Sequence, residues 1–525
     1  MTNSIDDIAA APCIFAIGCN APEAHPLIGW RVRTAKDRGA VLIVADPRCT
    51  QLAEWADLHL QLYPGTDIAL LNALMHVIIS EGMHRPDFIE QRTEGFDQMW
   101  QVVSNYPPDK AAAITGVPEQ QIIEAARMMG RADRVCTIYT LGITEHTVGT
   151  HNVMAVADLA MTLGSVGKPA AGVNPLRGQN NVQGSCDMGA LPNVFSGYQS
   201  VTDAAVRAKF EKAWGAALPG EVGLTLPDML IEARQGNLKA MYIVGEDIMM
   251  SDPNTKHVRQ ALESLDFLVC QEIFLSSTCE LADVVFPAGS FAEKDGTFTN
   301  TERRVQLVRR AISSPGQARP DWQIICALGQ ALGMRMSYSH PSEIMDEVAS
   351  LTPIYGGIRH NRLGTDGLQW PCPDESHPGT PVLHREKFTR GLGKFAPVEH
   401  EPPAETPDDE YPLMLSTGRM LFHYNAGTMT RRTPILQREF PRNFVQINPA
   451  DAERLGVRRT GKARVTTRRG SLVVDAQVTD RLKEGVIWMP FHFVESPANV
   501  LTNDVFCPIA RTAEYKVCAA KVEPA

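Results

Sequence analysis

Short apolar runs that stop abruptly at glycine or at polar residues recur along the chain. CIFAIGCN (13–20) is the first and VLIVADPR (41–48) the second; CTIYTLGITEH (136–146), AMYIVGED (240–247), FLVCQEIF (267–274) and DVVFPAGS (283–290) continue the series. A run apolar at every position, not at alternate ones, predicts a strand covered on both faces, as in a parallel sheet flanked by helices. Helix-like stretches lie between the runs. YPGTDIALLNALMHVII opens with a turn, and Thr66 or Asp67 is expected to cap its helix, leaving N–H groups able to hold a phosphate. In open α/β sheets the ligand lies beyond the carboxyl ends of the strands. Here those ends carry Gly18-Cys19-Asn20, Asp46-Pro47-Arg48, Gly142-Ile143-Thr144, Gly245-Glu246-Asp247 and Gln271-Glu272. Glycine permits close backbone approach, and Asn, Asp, Arg and Gln supply hydrogen bonds. So many ends built alike point to a large, flat, polar ligand laid across two sheets.

The texture changes twice. Residues 351–410, with WPCPDESHPGTP and VEHEPPAETPDDEYP, predict a long irregular connection closing on a linker near 400–410. After it, GKARVTTRRGSLVVDAQVTDRLKEGVIWMP shows short β runs with a turn at Arg469-Gly470, and QINPADAERLG inserts one short helix. This pattern predicts a barrel. The fold class expected is therefore a multidomain α/β protein with parallel, Rossmann-like sheets and a C-terminal β-barrel.

Composition narrows the function. At 525 residues, three or four domains are expected. The chain is 44% apolar and 21% charged, which excludes a largely disordered protein. Fifty basic against 60 acidic residues give a net charge of -10, which argues against a nucleic-acid partner. No apolar run approaches the roughly 18 residues of a membrane span, and the N-terminus MTNSIDDIAAAPCIFAIGCN shows no export signal, so a cytoplasmic location is expected. The 11 cysteines include no Cys-x-x-Cys, so the tight spacing of an iron–sulfur or structural zinc site is missing. Cys136, Cys270 and Cys326 lie in apolar runs and read as buried thiols. Gly164–Lys168 is no nucleotide loop, because Pro169 stands where Ser or Thr must hold magnesium. Read alone, His25, His146 and His423 are satisfied polar side chains more often than metal ligands.

The strip GSVGKPAAGVNPLRGQNNVQGSCDMGALPN (164–193) combines glycines, side-chain amides and one arginine, Arg177, directly after the helix-like AVADLAMTL. With GTFTNTERRVQ (296–306), LSTGRMLFHYNAGTMT (415–430) and the ending ANVLTND followed by AEYK, the strip resembles the catalytic alpha subunit of molybdenum or tungsten formate dehydrogenases. These belong to the dimethyl-sulfoxide-reductase family of bis-molybdopterin-guanine-dinucleotide enzymes. Ala513 stands where the family often has proline. The resemblance spans essentially the whole chain, and its formate-specific part is GVNPLRGQNNVQGSCDMGALPN. It implies a first α/β dinucleotide-binding domain over 1–179 and a second over 180–291. A remnant of the iron–sulfur-side domain with a linker follows over 292–405, then a double-psi type barrel over 406–525.

The resemblance also implies roles. Two pyranopterin guanine dinucleotides would hold one Mo or W ion, and formate would lose two electrons and leave as CO₂. Gly18, Asn20, Glu23 and Asp46-Pro47-Arg48 would hold one dinucleotide, with Gly65 to Asp67 near its phosphates. Gly142, Gly178 and Gln179 would approach the pterins. Gly245, Glu246, Asp247 and Gln271 would serve the second half. Thr417, Gly418, Arg419, His423, Asn499, Tyr515 and Lys516 would close the site from the barrel. Arg177 would be the catalytic residue, since an always-charged guanidinium can grip a carboxylate through two parallel hydrogen bonds.

The family's 4Fe-4S segment, its metal-ligating Cys or selenocysteine and the following His have no counterpart here, and no metal ligand is assigned. The chain is accordingly expected to be N-terminally truncated, a fragment with bare apolar surface and little formate oxidation by itself. A misread selenocysteine codon, a frameshift or a divided gene would each produce it. Formate, the missing segment and electron-transfer subunits are the expected partners; NAD⁺, ferredoxin and a hydrogenase remain open as acceptors. Two alternatives compete. One is a non-catalytic scaffold like the large iron–sulfur subunit of complex I, which would have no use for Arg177. The other is a different oxidoreductase of the family, such as nitrate reductase or formylmethanofuran dehydrogenase.

Overall fold

The computed structural model describes residues 1–525. Its contacts group the chain into two compact units. Met1–Gly178, Met250–Thr255 and Val382–Ala525 form the first; Gln179–Met249 and Lys256–Pro381 form the second. Residues 382–405, set apart from the barrel by composition, thus share its unit.

In the first unit β1 (Cys13–Ile17), α1 (Pro26–Asp37), β2 (Val41–Ala45), β3 (Leu58–Leu60), α2 (Asp67–Ser80), α3 (Glu119–Arg131), β4 (Cys136–Tyr139), α4 (Gly149–Thr162) and β5 (Gly172–Pro175) follow one another. The strands form one sheet in the order β3-β2-β1-β4-β5, parallel throughout. Both faces are covered, which is why β1 and β2 are apolar at every position. Cys13, Phe15 and Ile17 pack with α2, α3 and α4, whereas Ile14 and Ala16 join α1 through Ile28 and Val32. Helix α2 is apolar around most of its circumference and is buried from Asp67 to Met75, as a helix at the centre of a core must be. One local expectation fails here. Thr66 holds the cap position of α2 but makes no cap bond; its hydroxyl donates to the Tyr63 carbonyl at 2.7 Å instead.

The second unit begins with α5 (Val182–Asp187) and α6 (Leu226–Arg234), then β6 (Ala240–Val244), α7 (Thr255–Glu263), β7 (Phe267–Glu272) and β8 (Val284–Pro287). The three strands make a parallel sheet, β8-β7-β6. Met241, Ile243, Leu268 and Cys270 point into a core with Leu230, Val258 and Leu262. The other face is open: Tyr242 is 37%, Val244 44% and Phe267 46% exposed. Strands β9 (Gly296–Thr299), β10 (Arg304–Val308) and β11 (Leu368–Gln369) form an antiparallel sheet beside a polar knot. The buried carboxylate of Asp187 accepts from Gln183 at 2.8 Å, Tyr198 at 2.7 Å, Tyr355 at 2.6 Å and Trp370 at 2.7 Å. Arg303, 2% exposed, donates to the carbonyls of Trp370, Thr380 and Pro381. Elsewhere between 351 and 410 regular structure is confined to Pro353–Tyr355, His360–Leu363 and Gly393–Lys394.

The chain completes the first unit with β12 (Leu413–Gly418), β13 (Phe444–Ile447), α8 (Pro449–Leu455), β14 (Lys462–Thr466), β15 (Ser471–Val478), β16 (Val486–Pro490) and β17 (Cys518–Pro524). They close into a barrel, β12-β16-β13-β15-β14-β17, filled by Leu415, Val445, Ala463, Val474, Ile487 and Ala520. The turn between β14 and β15 falls on Arg469-Gly470, and α8 is the helix of QINPADAERLG. Cys136, Cys270 and Cys326 are buried free thiols. No helix is long and apolar enough to cross a membrane.

The open face of β6–β8 yields a stability test. A half-exposed side chain contributes little to the core, so Phe267→Lys should change unfolding free energy by no more than about 0.5 kcal/mol. It should also reduce the fluorescence of a hydrophobic dye bound by the purified chain. Unchanged dye binding would show that this face is not the accessible one.

Candidate cofactor site

The ends of β1, β2, β4 and β5 and the ends of the barrel strands β12 and β16 surround a cavity of about 120 Å³ that opens to solvent. It lies over the switch point, where the strand order reverses between β1 and β4; this is where open α/β sheets bind ligands. Two glycines make the crevice. Gly18, at φ +54°, follows β1 and abuts Gly142, which follows β4. A Cβ on Gly18 would lie 2.7 Å from the Gly142 carbonyl carbon, and one on Gly142 would lie 2.5 Å from the Gly18 Cα. Neither position can carry a side chain. The Gly18 carbonyl accepts from the Thr140 hydroxyl at 2.9 Å and from the Gly142 N–H at 3.2 Å, fixing the two ends together.

Polar groups line this crevice. Asn20 opens a short helix yet caps nothing, and both its amide atoms are shut from water without a protein partner. Buried amides are nearly always hydrogen-bonded, so this side chain has hydrogen-bonding capacity that the protein itself does not use. His25 Nδ1, His146 Nδ1 and Arg419 Nε share that condition. At the end of β2, the Asp46 carboxylate accepts from the Arg48 N–H at 2.9 Å. The Arg48 guanidinium lies 4.0 Å from the Trp488 ring centroid and 3.5 Å from Glu23. Lys516 pairs with Glu145 at 2.7 Å and donates to the Thr417 carbonyl at 3.0 Å. Gly65, at φ +81°, turns the chain into α2, and Asp67 opens that helix inside the cavity wall.

Burial governs the titration of these groups. It pushes the Asp67 carboxyl up to about 7, with the Asp46 charge adding to the effect. It raises Asp46 as well, against the pull of Arg48. It lowers His146 to about 4, although its Nε2–H donates to the Gly142 carbonyl at 2.9 Å. Asp67 and His146 are 3.9 Å apart. An ion pair would move both the opposite way, so desolvation dominates and each favours its neutral form. His25 is likewise lowered, by burial first and then by Arg419. No group of three or more His, Cys, Asp or Glu is arranged to hold a metal ion.

The cavity wall brings together Gly18, Asn20, Asp46, Pro47, Arg48, Gly65, Asp67, Gly142, Gly178, Thr417, Gly418, Arg419 and Lys516. Arg177 lies between two lining residues, Leu176 and Gly178. Other expected positions serve differently. Glu23 reaches the site through Arg48. His423 donates to the Phe440 carbonyl at 2.8 Å, outside the wall. Asn499 and Tyr515 hold the chain's own backbone: the Asn499 amide donates to Met250 and Ser251, and the Tyr515 hydroxyl to Ser251 at 2.8 Å. Gln179, Gly245, Glu246, Asp247 and Gln271 belong to the second unit. There Gly245 is in open space at φ +66°, Asp247 accepts from Thr278 at 2.7 Å, and Gln271 donates to Asp321 at 2.6 Å. His25 and His146, which read from sequence as satisfied polar side chains, and Trp488, unmarked there, also line the wall. Only their closeness to glycine-ended strands could have marked the two histidines, and nothing local marks Trp488.

The Molybdopterin oxidoreductase family model matches residues 1–331, and the Molydopterin dinucleotide binding domain matches 413–519. The F420-dependent formate dehydrogenase 2 subunit alpha of Methanococcus maripaludis is 51% identical over the whole chain, which covers 78% of that protein. Formate dehydrogenase H of Escherichia coli is 40% identical over the whole chain, which covers 74% of it. Acetylene hydratase from Pelobacter acetylenicus shares the fold, with a TM-score of 0.75 at 20% identity, covering 100% of this chain and 81% of that one. The family match over residues 1–331, joined to sequence identity of this extent, places the chain in the molybdopterin oxidoreductase family, among the formate dehydrogenase alpha subunits.

Proposed function

We propose that this chain forms the substrate- and cofactor-holding part of an enzyme that oxidises formate to CO₂ at a Mo or W ion carried by a bis-molybdopterin guanine dinucleotide, with Arg177 holding the substrate. The observation carrying the cofactor half is the partnerless buried amide of Asn20 beside the Gly18–Gly142 crevice. When bound, the cofactor supplies a metal that accepts two electrons; formate yields CO₂, a proton and those electrons. The rest is the protein's work. Backbone at Gly18, Gly142 and Gly178 lets a flat heterocycle approach. Asn20 and the neutral His146 offer hydrogen-bond partners for its heteroatoms. Arg48, Arg419 and Lys516 supply positive charge against phosphates.

Arg177 orients the carboxylate with two parallel N–H···O bonds, directing the C–H away from the guanidinium. A lysine there would be a point charge without that orientation. Three relatives that are about half identical are F420-dependent enzymes, which favours F420 over NAD⁺, ferredoxin or a hydrogenase as the eventual acceptor.

Arg177→Ala should lower kcat/KM for formate by about 100-fold or more, and Arg177→Lys should recover only part of the loss. Metal content should stay at the wild-type level in both. Dye reduction by the metal-loaded enzyme measures the rate, and an unchanged rate in Arg177→Ala would remove formate binding from this residue. Gly18→Ala should abolish retention of the dinucleotide, read as guanine nucleotide released on acid denaturation. The cofactor-free chain should also show the charge of its empty cradle. Asp67 titrates at about 7 in the fold against an ordinary 3.8, so the fold binds this proton more tightly than the unfolded chain does. Its contribution to stability is complete below 3.8 and is lost as pH rises through 7. Asp67→Asn should therefore raise Tm relative to wild type more at pH 8 than at pH 4; a constant difference would contradict the assignment.

A further inference from the structure

We infer that His25 is a positioning residue for the substrate arginine, an inference that rests on the formate-binding role proposed for Arg177. His25 stands at the start of α1, where its side chain makes no cap bond. Its ring reaches across 152 residues of sequence instead, and Nε2–H donates to the Arg177 carbonyl at 2.6 Å. The next carbonyl along, that of Gly178, accepts from Arg419 Nη1 at 3.0 Å. Two successive carbonyls are thus held by two layers of the same unit, the α/β layer through His25 and the barrel through Arg419. The fit is tight, since a Cβ on Gly178 would lie 2.6 Å from Arg419 Nη2.

This clamp addresses a problem the substrate arginine must solve. Its side chain has several rotatable bonds, so the aim of the guanidinium depends on a fixed backbone. A misplacement of about 1 Å can cost about 100-fold in rate. The chemistry of the ring suits the task. A neutral imidazole whose partner is a carbonyl carries its proton on Nε2, and burial together with Arg419 favours that neutral form. A neutral donor grips the backbone without repelling Arg177 or competing with it for the carboxylate. A lysine at position 25 would do both.

The test pairs His25→Phe, which keeps a ring without the donor, with His25→Gln, which keeps an N–H able to reach the carbonyl. Two measurements are made. One is KM and kcat for formate in the metal-loaded enzyme. The other, in the cofactor-free chain, is the formate concentration that half-protects Arg177 from phenylglyoxal, read by peptide mass. His25→Phe should raise both KM and the half-protecting concentration by about ten-fold, the cost of one buried hydrogen bond, and His25→Gln should stay near wild type in both. Equal values in wild type and His25→Phe would overturn the inference. So would equal losses in the two variants, because the effect would then follow replacement of the ring and not loss of the donor. If formate fails to protect Arg177 in the wild-type chain, the role of Arg177 itself falls, an outcome separate from either of these.

Discussion

The first unit depends on one close contact between backbones. Gly18 and Gly142 touch where the sheet changes direction, at a separation that excludes a Cβ on either side. A larger residue at either position would wedge β1 from β4 and break the bond from the Gly142 N–H to the Gly18 carbonyl. Because the contact is made of main chain, it brings the strand ends near enough for Asn20, Asp46 and Thr140 to line one crevice. The doubly covered sheet behind it, with Phe15 and Ile17 fully buried, keeps those ends from shifting. Dense packing makes a core of this kind stiff.

Charge in the crevice is arranged so that no cation is left to wander. Arg48 is held by Trp488 and Glu23, Lys516 by Glu145, and Arg419 by the Gly178 carbonyl. Each tether reduces the conformational freedom lost when an anionic ligand arrives. The carboxyls of Asp46 and Asp67 are meanwhile raised by burial, which lessens the negative charge a phosphate would meet.

Much of this was legible in the sequence, for a physical reason. Strands covered on both faces must be apolar throughout, and their ends must change abruptly to glycine and polar residues. CIFAIGCN and VLIVADPR therefore announce both the sheet and the edge of the cavity. The barrel was legible from its short β runs and its turn at Arg469-Gly470. What escaped was whatever depends on partners distant in sequence. The role of His25 carries no local signal beyond its closeness to the glycine end of β1, because its partner is a backbone carbonyl on another strand end. Trp488 lies in an ordinary barrel strand and becomes part of the wall only when Arg48 stacks on it. Thr66 occupies a cap position by pattern, but the nearby Tyr63 carbonyl takes its hydroxyl. Asn499 and Tyr515 are polar as expected, yet the chain's own 250–251 backbone occupies them. Residue type alone does not distinguish a group reserved for a ligand from one spent on the fold.

The wall of the cavity draws on residue 18 near one end of the chain and residue 516 near the other. During synthesis the α/β half emerges first, and at roughly 5–20 residues per second it waits tens of seconds for the barrel half to appear. Through that interval the crevice is an open trough with its floor built and its roof unwritten. The interleaving of distant segments thus makes the cavity wall a late product of synthesis, complete only once the barrel segments have emerged.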